Sequence, residues 1–123
     1  MEVTSEMQAI MDEMSRLPGF ICSGLVNYRK GVSAVKEDSE PGDPENFFPQ
    51  QCTAILKTLG TSLANLDGGV PDKLTVEASK MTMMIFPVND TYFCGVGLQP
   101  GVPTSEAAEK LEALREAFRR ALG

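Results

Sequence analysis

The chain has no histidine among its 123 residues. That removes the commonest general base and every Ser-His or Cys-His nucleophile arrangement. Cysteine is scarce too: Cys22, Cys52 and Cys94 stand far apart among apolar neighbours, without CxxC spacing. An odd, scattered set reads as reduced, buried thiols of a cytosolic protein. Zinc needs four ligands, which three dispersed thiols and no histidine do not supply. Basic residues are in deficit, 11 against 17 acids, for a net charge of −6. That balance argues against nucleic acid, whose phosphates demand a basic face, and against an anionic membrane surface. No apolar run approaches the roughly 20 residues of a membrane span. The first residues carry acids where a secretory leader needs bases, which predicts a cytoplasmic location.

Phosphate-binding motifs are also missing. Gly95-Val96-Gly97 does not complete GxGxxG, because Pro100 follows Leu98 and Gln99. Small residues in a strand crossed closely by a helix account for it better. Gly68-Gly69 is not followed by Lys-Ser/Thr. We expect no catalytic residue, no cofactor, no metal and no enzyme.

What is present is ordinary globular composition, 42% hydrophobic and 23% charged. The length suits one domain, 1–123, around one core. Ser5 and Gln8 read as a capping box, and Met7, Ile10, Met11, Met14 and Leu17 then repeat at helical spacing until Pro18-Gly19. This methionine stripe reads as core rather than as a promiscuous binding face. Residues 20–28 (FICSGLVNY) predict a buried strand, Arg29-Lys30-Gly31 a turn, and 32–35 the returning strand. Residues 36–44 (KEDSEPGDP) read as an acidic solvent loop without calcium-loop spacing.

The second helix is the best marked. Asp43-Pro44 offers a cap, though Pro49 places the regular helix nearer Phe48. Phe48, Cys52, Ile55, Leu56, Leu59, Leu63 and Leu66 then keep a 3.6-residue rhythm up to Asp67-Gly68-Gly69. Gly60 interrupts it, either admitting another backbone or loosening the helix. Strands follow at 73–79, 80–88 and 91–99, the last two joined at Asn89-Asp90, with Pro87 expected at a strand end or bulge. Helix 104–122 puts Ala107, Leu111, Leu114, Phe118 and Leu122 on one face, with Glu112, Arg115, Glu116 and Arg119 outside it. The order α-β-β-α-β-β-β-α predicts an α+β fold. A five-stranded antiparallel meander would carry the terminal helices on one face and the long second helix on the other.

This pattern resembles the roadblock / dynein light-chain family, and its small bacterial and archaeal members above all. LPGFICSGLVNYRKG is similar to the family's opening strand, with Gly24, Val26, Asn27 and Gly31 in its characteristic places. Residues 73–118 look like its three-strand meander and final helix, and Phe86-Pro87-Val88-Asn89-Asp90 is similar to its proline-containing turn. The chain departs in the polar stretch 37–43 and in Phe47-Phe48-Pro49.

The resemblance implies a roadblock (profilin-like) fold and a non-enzymatic role. It implies dimers that pack second helices antiparallel and join third strands into one sheet. The interface would then use Phe48, Cys52, Ile55, Leu56, Leu59, Leu63, Leu74 and Val76. The implied partners are a second copy of the chain and a small Ras-like GTPase, or a subunit of a motor or signalling complex. The apolar face of the second helix is wider than one small sheet needs, which agrees. The other explanation is that the whole face covers its own sheet. No residue is an obvious arginine finger; Arg29, at the first turn, is exposed enough to be one, but a solvated turn residue is the stronger reading. A different reading is a profilin-like or PAS-like module binding a small molecule, with Met81–Met84 and Cys94 lining the pocket. A third is a structural subunit that needs a heterologous partner.

Overall fold

The computed structural model describes residues 4–29, 32–38 and 47–122. Its elements are α1 (Ser5–Met14), β1 (Phe20–Asn27), β2 (Val32–Asp38), α2 (Phe47–Asn65), β3 (Leu74–Glu77), β4 (Thr82–Pro87), β5 (Tyr92–Leu98) and α3 (Thr104–Leu122). All strand pairings are antiparallel, and the spatial order is β2-β1-β5-β4-β3. The sheet is thus not one continuous meander. A hairpin, β1–β2, and a three-strand meander, β3–β4–β5, are joined where β1 pairs with β5, with Leu25 opposite Cys94.

Local chemistry sets the element ends. The cap of α1 is Thr4 rather than Ser5: its hydroxyl oxygen accepts from the Met7 amide at 3.1 Å, and Ser5 is the first helical residue. After α1, Gly19 has φ +73°, and a Cβ there would stand 2.6 Å from Val102 Cγ2. Both its dihedral and its surroundings require glycine. β2 continues through Lys36, Glu37 and Asp38, paired with Gly24, Ser23 and Cys22, so the first residues assigned to the acidic loop are strand. Backbone pairing outweighs their polarity there. Lys30-Gly31 of the expected turn, residues 39–44 of the expected loop and the Asp43-Pro44 cap lie outside the described residues. At the end of α2 the Gly68 amide donates to Leu63 O at 2.7 Å and Asp67 takes φ 57°. Pro87 is the last residue of β4, where its missing donor costs no ladder bond. The Asn89 side-chain oxygen accepts from the Thr91 and Tyr92 amides, each at 2.8 Å, and fixes the β4–β5 turn.

Side chains alternate across the sheet and make two separate cores. On one face Leu25, Met84, Phe86, Cys94, Val96 and Leu98 meet α1 and α3. The whole methionine stripe of α1 is buried there, together with Ala107, Leu111 and Phe118 of α3. On the other face Val26, Ile85 and Phe93 pack under Cys52 and Leu56 of α2. The glycines of β5 face α2: a Cβ on Gly95 would lie 3.5 Å from Phe48 and 3.6 Å from Cys52. The helix crosses closely because those side chains are absent.

Candidate functional site

α2 presents two sides. Phe48, Cys52, Ile55, Leu56 and Leu74 converge on one cluster with Val26, Ile85 and Phe93, and in it Cys52 and Leu56 are buried by the chain's own sheet. Leu59, Leu63 and Val76 lie outside that cluster; the two leucines are half-buried and Val76 is 37% exposed. Ala54, Ile55, Thr58, Leu59 and Ser62 border an open depression along the helix. A Cβ on Gly60 would meet nothing within 4 Å beyond its own helix, so none of the other described elements approaches it.

Further aliphatic side chains are exposed beyond the helix. Leu66 is 77% exposed and Val70 87% exposed, and β3 is a sheet edge whose far side carries no described strand. Exposed aliphatics beside an open strand edge are features that natural proteins cover. Val70 was absent from the sequence-derived set. Its only signal was a lone valine in a Gly-Gly-Val-Pro turn.

A cavity of about 380 Å³ lies at one end of the sheet, between α2, residues 70–72, the β4–β5 turn and α3. Tyr28, Leu56, Lys57, Val70 and Arg119 contribute to its walls. Two arginines of α3 brace it from behind. Arg119 Nε donates to Val88 O at 2.7 Å, and its guanidinium pairs with Glu116. Arg115, expected outside the buried stripe, is 5% exposed. Its Nη1 donates to Asp72 O at 2.7 Å and to Pro87 O at 3.4 Å, its Nη2 bonds Glu112, and its guanidinium carbon lies 5.3 Å from the Phe86 ring centre. The long side chain buries its stem and engages its two terminal nitrogens on oxygens from elsewhere in the chain and from Glu112, while its buried Nε has no partner among the described residues. The Arg115 bond, then Lys73, holds the Glu112 carboxyl below the usual carboxylate range.

Among the described residues no acid–base or nucleophilic pair emerges. Burial pushes the Cys52 and Cys94 thiols up to about 12, so both are neutral near pH 7 and poor nucleophiles. Met84 and Cys94, expected to line a ligand pocket, are packed in the α1/α3 core and do not border the cavity. Arg29 is exposed but tethered: its Nε donates to Asp90 O at 3.1 Å, across the neighbouring turn. Among the described residues no three or more Cys, Asp or Glu side chains gather as a metal site, and no helix is long and apolar enough to cross a membrane.

No protein-family model matches the sequence, and no curated protein does so significantly. Solved structures do match in shape. Myxococcus xanthus MglB superposes with a TM-score of 0.89 over 98% of both chains, at 9% identity. The gliding protein MglB from Thermus thermophilus gives 0.83 over 97% of this chain and 92% of its own, at 10% identity. The Roadblock/LC7 domain from Streptomyces avermitilis gives 0.82 over 93% and 95%, at 14% identity. At such identities the agreement is one of architecture, and it agrees with the resemblance read from the sequence motifs. This chain has the fold of the Roadblock/LC7 domain.

Proposed function

We propose that the chain is a non-enzymatic, roadblock-family platform that dimerises and regulates a small Ras-like GTPase in the cytoplasm. The observation that carries this reading is the apolar surface left by half-buried Leu59 and Leu63 and by exposed Leu66, Val70 and Val76, together with a β3 edge whose far side carries no described strand. A second copy docking α2 against α2 and β3 against β3 would cover it. One structural neighbour is an MglB in tetrameric arrangement, and another is named a gliding protein, which supports self-association and a cell-motility setting. The GTPase partner follows from the family resemblance.

Light scattering over a dilution series tests the dimer. We expect the wild type to hold a dimer mass and Leu59→Glu to fall to monomer. A folded wild-type monomer at all concentrations overturns the proposal. If GTP hydrolysis by a partner is stimulated, the chain acts by positioning the GTPase's own residues, since Arg29 is held on Asp90 O. Abolition of stimulation by Arg29→Ala alone would refute that.

The cavity between α2 and α3 supports a second reading, a small-molecule sensory module, because its volume falls in the range of ligand pockets. A ligand retained in native mass spectrometry of purified monomer favours that reading over the platform.

A further inference from the structure

Four sulfur side chains lie on the α2 face of the sheet. Cys22 in β1 and Met83 in β4 are both register partners of Gly97 in β5, so the three positions form one row. From α2 above, Cys52 Sγ comes within 3.9 Å of Met83 Sδ. A Cβ on Gly97 would stand 3.0 Å from Cys22 Sγ and 2.9 Å from the terminal methyl of Met81. Both side chains therefore lean into the space that glycine leaves open. The Phe48 ring roofs the same spot, 3.6 Å from that point and 3.5 Å from the equivalent point on Gly95.

The thiol–thioether separation is informative. Two sulfurs bound at about 2.3 Å to one ion, at a trigonal angle, stand about 4 Å apart. Cys52 and Met83 already have that spacing. Paired thiolates and thioethers suit a soft monovalent cation, whereas zinc takes thiolate, imidazole and carboxylate, and calcium and magnesium take oxygen. We infer that this face holds a copper(I) site, with Cys52, Met83 and Cys22 as ligands and Met81 closing its margin. On binding, each ligating thiol releases its proton to solvent, and the copper stays in the +1 state. The site is independent of dimerisation and of any GTPase.

The test is an anaerobic competition in which reduced protein is titrated against the copper(I)–bicinchoninate complex. We expect one copper per chain to leave the chelator. X-ray absorption should find only sulfur neighbours at about 2.3 Å. Cys52→Ser and Met83→Leu should each weaken binding by more than about 100-fold, beyond the loss typical of outer-shell changes. Cys94→Ser should bind as wild type, because its thiol lies on the opposite face. Should Cys52→Ser fail to fold by circular dichroism, Cys22→Ser at its half-buried position gives the same reading. The inference is overturned if wild type takes no copper from the chelator. It is equally overturned if Cys94→Ser loses as much as Cys52→Ser, or if folded Cys22→Ser and Met83→Leu both bind as wild type. Those outcomes would mean that the sulfurs merely pack against Phe48.

Discussion

The two faces of the sheet are built to different standards. Against α1 and α3, fifteen buried apolar residues form one continuous cluster that includes Phe86, Phe118 and the methionines of α1. Against α2 the buried cluster among the described residues is Val26, Cys52, Leu56, Ile85 and Phe93, and exposed Leu66 and Val70 follow the end of the helix. Both helices that flank the sheet at length have 19 residues, so the difference is not one of helix size. It lies in how each helix is covered. α3 turns its apolar stripe wholly inward, and its Arg115 and Arg119 clasp the sheet end. α2 shares its apolar surface between the sheet and the outside. Among the described residues the first face holds the larger buried core, and the second leaves more apolar surface exposed.

That contrast can be broken from either side. The largest effect should come from Phe118→Ala, which empties a fully buried site on the closed face and should cost about 3–5 kcal/mol in denaturant unfolding. Leu59→Glu on the open face should alter the stability of the monomer by less than about 1 kcal/mol. Equal costs would mean that the faces do not differ in this way. Next comes Arg115→Ala. It strips hydrogen bonds from Asp72 O and Pro87 O and packing from Phe86, and should cost about 1–3 kcal/mol. Restoration by Arg115→Met would assign the effect to packing rather than to charge.

Alkaline titration probes both faces together, since Cys52 and Cys94 lie one on each. Their folded-state values are raised from 9.0 to about 12, mainly by burial. Stability from this source is intact below pH 9. It falls as the pH rises toward 12, because the unfolded chain releases thiol protons that the folded chain retains. The slope is about 1.4 kcal/mol per pH unit for each thiol. Unfolding measured at successive pH values should show Cys94→Ala reducing that slope by one thiol's share. The smallest effect belongs to Gly60→Ala. With nothing within 4 Å of the new methyl, the helix should gain up to about 1 kcal/mol. If the same change weakens self-association, the second copy approaches at Gly60.

The elements were legible because each rests on short-range signals. The stripe Met7, Ile10, Met11, Met14, Leu17 predicted a buried helix face, and all five are buried. Pro87, Asn89 and Asp67-Gly68-Gly69 marked ends that the backbone indeed uses. Where polarity alone guided the reading, it failed. Lys36, Glu37 and Asp38 look like loop, yet they pair with β1 because an adjacent strand offers hydrogen bonds regardless of side chain. Arg115 looked like part of the charged face of α3, but it is buried because acceptors 43 and 28 residues away reach it. The proposed interaction surface was half legible. Periodicity found the apolar face of α2 without saying which of its residues, such as Cys52, the chain's own sheet would consume.

The sequence by itself determined the element types, their order and the two-sided alternation of the strands. Each depends on neighbours within a few residues or on composition. Tertiary structure alone decided that β1 pairs with β5, that Arg115 turns inward, that Cys22 lies over Gly97 and that Cys52 comes up against Met83. Those outcomes depend on strand register and helix crossing between segments far apart in the chain. No local pattern encodes such distances, and only the packing of the whole sheet resolves them.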